Sequence, residues 1–292
     1  MSLALHVQLL FSGISVGSIY GLVALGLVMP FKAAGILNFA QGEMVTAGAY
    51  IALFLSVGLH LPAYVVFPLT LLLAALFGVA IERVFIRPVM RAPEFTIVVC
   101  TLAVGLMIKN VVRLIWQDNV YPLPVPFSRD TMALGDLRIN PLLLWVDGSA
   151  IVLMAVLVAF FQLTRHGKAM RAVSQSQEGA RLMGIRVEGV FVATWAISTA
   201  MGATAGILLG ALFGIHPEMG GVLMKAFVAA VIGGFTSLPG AVFGGVLVGV
   251  VETFSGAYAG SAFKELVAFL LLIAVLLVRP QGLFGAQQAR RV

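Results

Sequence analysis

Between two apolar runs near its start the chain reads PFKAAGILNFAQGEMVTAGAY, where Pro30 and Gly35 stop and restart helix and the polar side chains Asn38, Gln41, Glu43 and Thr46 lead into an apolar run. Asn38 and Gln41 fall on one side of a helix, and Glu43, Thr46 and Tyr50 lie near one another on another face. A carboxylate at the edge of apolar surroundings is costly to keep and has a cavity, water or a partner. Glu43 equally suits the first turn of a helix, where a negative group complements the macrodipole. Glu252, in GVVETFSG, is a second acid inside an apolar run, and a hydrogen bond between helices is its plain account.

A different chemistry is written in RHGKAMRAVSQSQEGARLMGI. Lys168, Arg171, Gln175 and Glu178 follow at intervals of 3, 4 and 3 and form one polar face. Ala169, Ala172, Val173, Ala180 and Met183 supply a facing apolar surface, and Gly184 ends the pattern. The spacing predicts a short amphipathic helix, too polar to span a membrane. It suits a surface helix at lipid headgroups, or a docking helix for a partner chain. The stretch GGFTSLPG at 233–240 reads as a tight turn or as unwound backbone near a cavity.

What is missing also narrows the chemistry. The chain has no G-x-x-x-x-G-K-[ST] loop and so does not bind ATP in the P-loop manner. It has no H-E-x-x-H and no Ser/His/Asp arrangement, and His6, His60, His166 and His216 are scattered, which leaves no metal or cofactor site in view. Cys100 has no second cysteine to pair with. The chain reads as non-enzymatic.

The elements that must position these residues are membrane helices. Of the 292 residues 61% are hydrophobic and 10% charged, with a mean hydropathy of +1.07, a composition that could not solvate a globular surface in water. The expected fold is all-α and polytopic, a single membrane domain over residues 1–292. Apolar runs give nine spans within a range of 8–10: Leu5–Met29 stopped by Pro30, Ile36–Val57, Ala63–Ile81, Phe95–Trp116, Ser149–Leu163, Val190–Phe213, Val222–Phe235, Ala241–Tyr258 and Phe263–Val278. The run near 222–235 is short and reads as a half-helix or re-entrant segment. No Lys or Arg precedes Lys32, so the first run reads as a retained helix rather than a secretory signal.

A net charge of +6 would suit nucleic acid, but in a membrane chain the placement of the charges says more than their sum. Lys32, the group Arg83, Arg87 and Arg91, the polar segment 165–189 and the tail with Arg279, Arg290 and Arg291 hold most of the positive charge. The loop 117–148 sets Arg129 and Arg138 against Asp118, Asp130, Asp136 and Asp147. The positive-inside rule puts the basic set in the cytoplasm and the acidic loop outside, with the N-terminus out and the C-terminus in. Glycines at 13, 17 and 21, at 202, 206, 210 and 214, at 240 and 244, and at 245 and 249 form stripes that let helix backbones approach.

Several stretches together carry a family resemblance: LNFAQGEMVTAGAY (37–50), ERVFIRPVMRAPEFTIVVCTLAVGL (82–106), GKAMRAVSQSQEGARLMGI (167–185), PEMGGVLMKAFVAAVIGGFTSLPGAVFGGVLVGVVE (217–252) and FLLLIAVLLVRPQGLFG (269–285). In this order the chain resembles the LivH-type permease subunit of bacterial ABC importers for branched-chain amino acids. The resemblance implies a multi-pass subunit of the bacterial cytoplasmic (inner) membrane, working with a second related permease, two ATPase subunits that bind the ATP, and an external solute-binding protein. It implies that Lys168, Arg171, Glu178, Arg181 and Gly184 contact the ATPase, and that Asn38, Gln41, Gly42, Glu43 and Thr46 lie near the translocation path. A permease for urea or short-chain amides shares much of this pattern. An ion-driven secondary transporter using Glu43 and Glu252 is a further reading of the same residues.

Overall fold

The structure is a computed structural model that describes residues 3–90, 92–124, 132–134 and 137–285. Of the charges used above to orient the chain, Arg91, Arg129, Asp130, Asp136, Arg290 and Arg291 lie outside the described residues.

Helices account for nearly all of it: α1 (Leu3–Ala34), α2 (Gln41–Leu53) prolonged by a π turn (Phe54–Gly58), α3 (Ala63–Ile81) prolonged by a second π turn (Glu82–Ile86) and α4 (Arg87–Val89), and α5 (Glu94–Trp116). A small antiparallel hairpin, β1 (Met132–Leu134) against β2 (Leu137–Ile139), precedes α6 (Pro141–Leu163), α7 (Arg165–Gln175), α8 (Gln177–Leu182) and α9 (Val187–Phe213). A 3₁₀ turn (Pro217–Gly221) leads into α10 (Val222–Gly233), then α11 (Leu238–Ala259) and α12 (Phe263–Val278). Among the described residues six helices are long and apolar enough to cross a membrane: α1, α3 with its extension, α5, α6, α9 and α11. The 12 residues of α10 reach only about 18 Å, well short of a hydrocarbon core about 30 Å thick.

Four boundaries differ from the sequence reading. Pro30 does not stop α1. The helix runs on to Ala34, because in apolar surroundings it satisfies the most backbone groups, and Gly35 at φ +73° ends it. Likewise α3 continues past Ile81, and its π turn brings Glu82 and Arg87 into a 3.3 Å ion pair. The helix expected from Ser149 starts at Pro141, where Asn140 Oδ1 accepts the Leu142 N–H at 2.9 Å and Pro fits a first turn. Asp147 is therefore not a loop residue; it is buried in α6 and accepts a 2.9 Å hydrogen bond from Ser15. Finally, the amphipathic helix is two. Ser176 is extended and its hydroxyl caps α8 through Gly179 N–H at 3.0 Å, so Glu178 belongs to a new helix rather than to the face of Lys168, Arg171 and Gln175.

The chain divides into two compact units. The first comprises Met1–Val28, Phe127–Met154 and Met224–Val292. Its packing rests on glycine: a Cβ at Gly17 would lie 2.7 Å from Val246 Cα, and one at Gly13 2.8 Å from Val250 Cα, so α1 and α11 touch backbone to backbone. The segment after α12 returns to α10. Leu283 N–H donates to Ile232 carbonyl at 2.7 Å and Phe284 N–H to Gly233 carbonyl at 3.2 Å, which gives the last turn of α10 the partners that a helix end lacks. The turn needs Gly282 at φ +79°, where a Cβ would press to 2.5 Å from Val231 O.

The second unit, Met29–Pro126 and Ala155–Leu223, is built around α9 with α2 and α3 against it. A Cβ at Gly206 would run into the Val45 carbonyl of α2, one at Gly48 of α2 into Ala203, and one at Gly78 of α3 into Thr199, so the bare backbones approach closely. Gly214, last of its stripe, instead ends α9 at φ +85°. Residues of α3 and α5 such as Leu72, Leu76, Leu102 and Leu106 stay exposed, as lipid-facing side chains do.

Candidate functional site

The start of α2 is fixed by side chains of its own. Asn38 Oδ1 accepts the Ala40 N–H at 3.1 Å and its carbonyl accepts Gln41 N–H at 3.2 Å, a local turn that launches the helix. Gln41 locks that start to α9: its Nε2 donates to Ser198 carbonyl at 3.0 Å, and its Oε1 accepts from Ser198 Oγ at 2.8 Å and from Asn38 Nδ2 at 3.3 Å. Thr101 of α5 accepts the Phe39 N–H at 3.3 Å. Asn38, Gln41 and Thr46 are buried, and Thr46 turns its hydroxyl to the Gly42 carbonyl at 3.4 Å.

Glu43 is different. Its Oε2 is buried and has no hydrogen-bond partner among the described residues. Two glycines make room for the side chain: a Cβ at Gly105 of α5 would lie 3.6 Å from Glu43 Cγ, and one at Gly220 in the 3₁₀ turn 2.5 Å from Glu43 Cδ. Gly42 faces the same turn, since a Cβ there would meet the Gly220 carbonyl and come within 2.9 Å of Leu223 Cβ. The stretches NFAQGE and PEMGG, far apart in sequence, thus close on one another.

The depth of this meeting point can be measured along two helices. Gly105 is eleven residues into α5 and Ser198 eleven into α9, about 17 Å along each at 1.5 Å per residue. The break between α1 and α2 therefore sits about halfway along the spanning helices, not at their edge.

Beyond Glu43 lies an ion cluster that sequence reasoning missed. Glu218 of the 3₁₀ turn accepts from Lys109 at 2.6 Å and from Arg113, and Arg113 also pairs with Asp118 at 2.9 Å. The hydrogen bond from Lys109, with the charges of Lys109 and Arg113, holds the Glu218 carboxyl below the usual glutamate range against partial desolvation. The available signal was two cations four residues apart inside an apolar run, a placement that is expensive without partners. Tyr50, expected near Glu43, is buried against Trp116 with ring centroids 4.9 Å apart.

The segment carrying the other predicted residues is largely exposed. Thr164 caps α7 through Gly167 N–H at 3.0 Å, while Met170, Val173 and Ala180 are buried. Lys168, Arg171, Glu178, Arg181 and Gly184 are exposed; Arg171 reaches the Gln162 carbonyl at 3.3 Å and Arg181 pairs with Glu188 at 3.6 Å. Gly184 at φ +79° closes α8 and leaves Leu182 and Met183 at 85% and 83% exposure on its tip.

In the first unit Glu252 accepts from Tyr20 at 2.9 Å and is paired with Lys225 at 2.5 Å, with the Lys225 ammonium 5.6 Å from the centre of the Tyr20 ring. The hydrogen bond expected for Glu252 is present; Lys225 was overlooked. Among the described residues no group of three or more His, Cys, Asp or Glu is placed to hold a metal ion.

Long apolar helices, backbone breaks at mid-depth and a charged cluster at the break define a multi-pass membrane protein of the transporter kind. Residues 9–276 match the family described as branched-chain amino acid transport system / permease component. The high-affinity branched-chain amino acid transport system permease protein LivH of Salmonella typhimurium is 34% identical over 98% of this chain and 97% of its own length. Its counterpart BraD of Pseudomonas aeruginosa is 33% identical over 98% of both chains, and a probable LivH of Methanocaldococcus jannaschii 27% identical over 90% and 88%. The chain belongs to this permease family.

Proposed function

We propose that this chain is the membrane-embedded permease subunit of an ABC importer for branched-chain, apolar amino acids, acting in the bacterial cytoplasmic membrane. The observation that carries the reading is the match to permease proteins of branched-chain amino acid transport systems over nearly the whole length of both chains. The energy source is then another chain, in keeping with the missing P-loop. Two ATPase subunits, a second related permease and an external solute-binding protein complete the assembly.

In this reading residues 1–292 form one permease domain with nine membrane segments, N-terminus outside and C-terminus in the cytoplasm. The short α10 is a half-helix that starts mid-membrane, and the turn before it meets Glu43 there. Glu43, with Asn38, Gln41, Gly42 and Thr46 beside it, lies at the translocation path. The segment 165–189 seats on an ATPase, with Lys168, Arg171, Glu178, Arg181 and Gly184 at the contact and Leu182 and Met183 as its apolar tip. ATP binding moves that segment as a lever, and glycine-packed helices rock about the central site.

A tagged chain purified from detergent-solubilised membranes should bring down P-loop ATPases and a second permease. Reconstituted with the binding protein, the complex should take up leucine, isoleucine or valine on ATP hydrolysis. A chain that purifies alone and moves solute down an ion gradient would overturn the proposal.

A further inference from the structure

Gly105, Lys109 and Arg113 recur every four residues and share one stripe of α5. The inner end of that stripe touches Glu43 through Gly105, and the outer two cations hold Glu218. Glu218 and Gly220 belong to the same 3₁₀ turn, so the turn that lies on the Glu43 carboxylate is tied down by two ion pairs.

The unused valences at this place match a particular ligand. Glu43 Oε2 is an acceptor with no partner among the described residues. Lys109 spends one of its three N–H groups on Glu218, and Arg113 one of its five on Glu218 and one on Asp118. Spare acceptor lies deep and spare donors lie one and two turns further out. A free amino acid presents an ammonium and a carboxylate on one carbon and engages both; urea or a simple amide carries no charge for either.

We infer that Glu43 receives the α-ammonium and Lys109 and Arg113 the α-carboxylate of the transported amino acid. Glu218 is the resident counter-ion, which the substrate carboxylate displaces as the turn Pro217–Gly221 lifts from Glu43. This assignment rests on the amino-acid permease reading and adds to it the residues that select a zwitterion.

The test uses the complex recovered with the tagged chain, reconstituted with its binding protein and supplied with labelled leucine. Replacing Glu43 by Gln removes a charge-assisted bond to the substrate, so uptake falls at least about tenfold, and Glu43→Asp restores part of it. Glu218→Gln moves the other way: with the competing carboxylate neutral, leucine half-saturates transport at a lower concentration. Both replacements keep side-chain shape, and thermal midpoints within a few degrees of wild type establish that the complex is folded. As a second measurement, leucine binds the detergent-solubilised complex without the binding protein, while N-acetyl-leucine and leucine amide, each short of one charge, do not. Wild-type uptake in Glu43→Gln, or a raised half-saturation in Glu218→Gln, overturns the assignment while leaving the amino-acid permease intact. Failure of the wild-type complex to move any apolar amino acid overturns the functional reading itself.

Discussion

The buried pair Lys225–Glu252 lends itself to a quantitative test. Its carboxylate side chain is 8% exposed and its ammonium side chain 26%, and Tyr20 donates to the same carboxylate. Removing one partner of a buried ion pair costs about 3–5 kcal/mol, because the other charge is stranded. Lys225→Met strands the less exposed group, so about 3 kcal/mol is expected. Glu252→Gln strands an ammonium that reaches some solvent and keeps an acceptor for Tyr20, so about 2 kcal/mol is expected. The double variant strands nothing and should lose no more than about 2 kcal/mol, well under the sum of the singles. Thermal midpoints of the solubilised complex give the order: Lys225→Met lowest, then Glu252→Gln with the double variant beside it. A double variant whose loss equals that sum would show that the two groups do not interact and refute the argument. The same set bears on the ion-driven alternative, because a carboxylate held by Tyr20 and Lys225 has both oxygens occupied and is poorly placed to take up a coupling ion.

Three further outcomes are expected. Gly220→Ala places a methyl group on the Glu43 carboxylate and should lower uptake by roughly tenfold, whereas Gly221→Ala, with nothing within 4 Å, should be silent; equal uptake in the pair would count against the contact. Arg171→Glu or Glu178→Lys should leave ATP hydrolysis running without matching uptake, and normal substrate-stimulated hydrolysis together with normal uptake would sink the docking assignment. The folded-state pKa of Glu218 is depressed, so the stability it lends is present above the unfolded glutamate value and lost as pH falls through the folded one. Wild type should therefore melt above Glu218→Gln at neutral pH and converge with it below the usual glutamate range; a gap that persists in acid would contradict the linkage.

Much of the helical order was legible because apolar runs and their breaks carry strong signals: α5, α9 and α12 lie within a few residues of the runs that predicted them. The misses share a cause. Pro30 reads as a stop, Ile81 as a helix end and Asp147 as a loop residue, yet in a membrane chain an unsatisfied backbone costs more than a proline or a paired acid inside a helix. The Glu43 neighbourhood was half legible. Its own stretch stood out by polarity, while Lys109, Arg113 and Glu218 come from two other elements, and only the fold brings them to one place. Ser176 illustrates the reverse limit: periodicity ran straight across it, and a single hydroxyl cap split the helix.

The hydrogen bonds from Leu283 and Phe284 to the end of α10 also set an order of events during biosynthesis. Between acceptor and donor the ribosome must produce all of α11 and α12, so α10 is made with its final carbonyls still bare. Those carbonyls gain protein partners only when the segment after α12 folds back. Completion of this helix is thereby a late step: its final carbonyls find their partners only after residues 283 and 284 have been made.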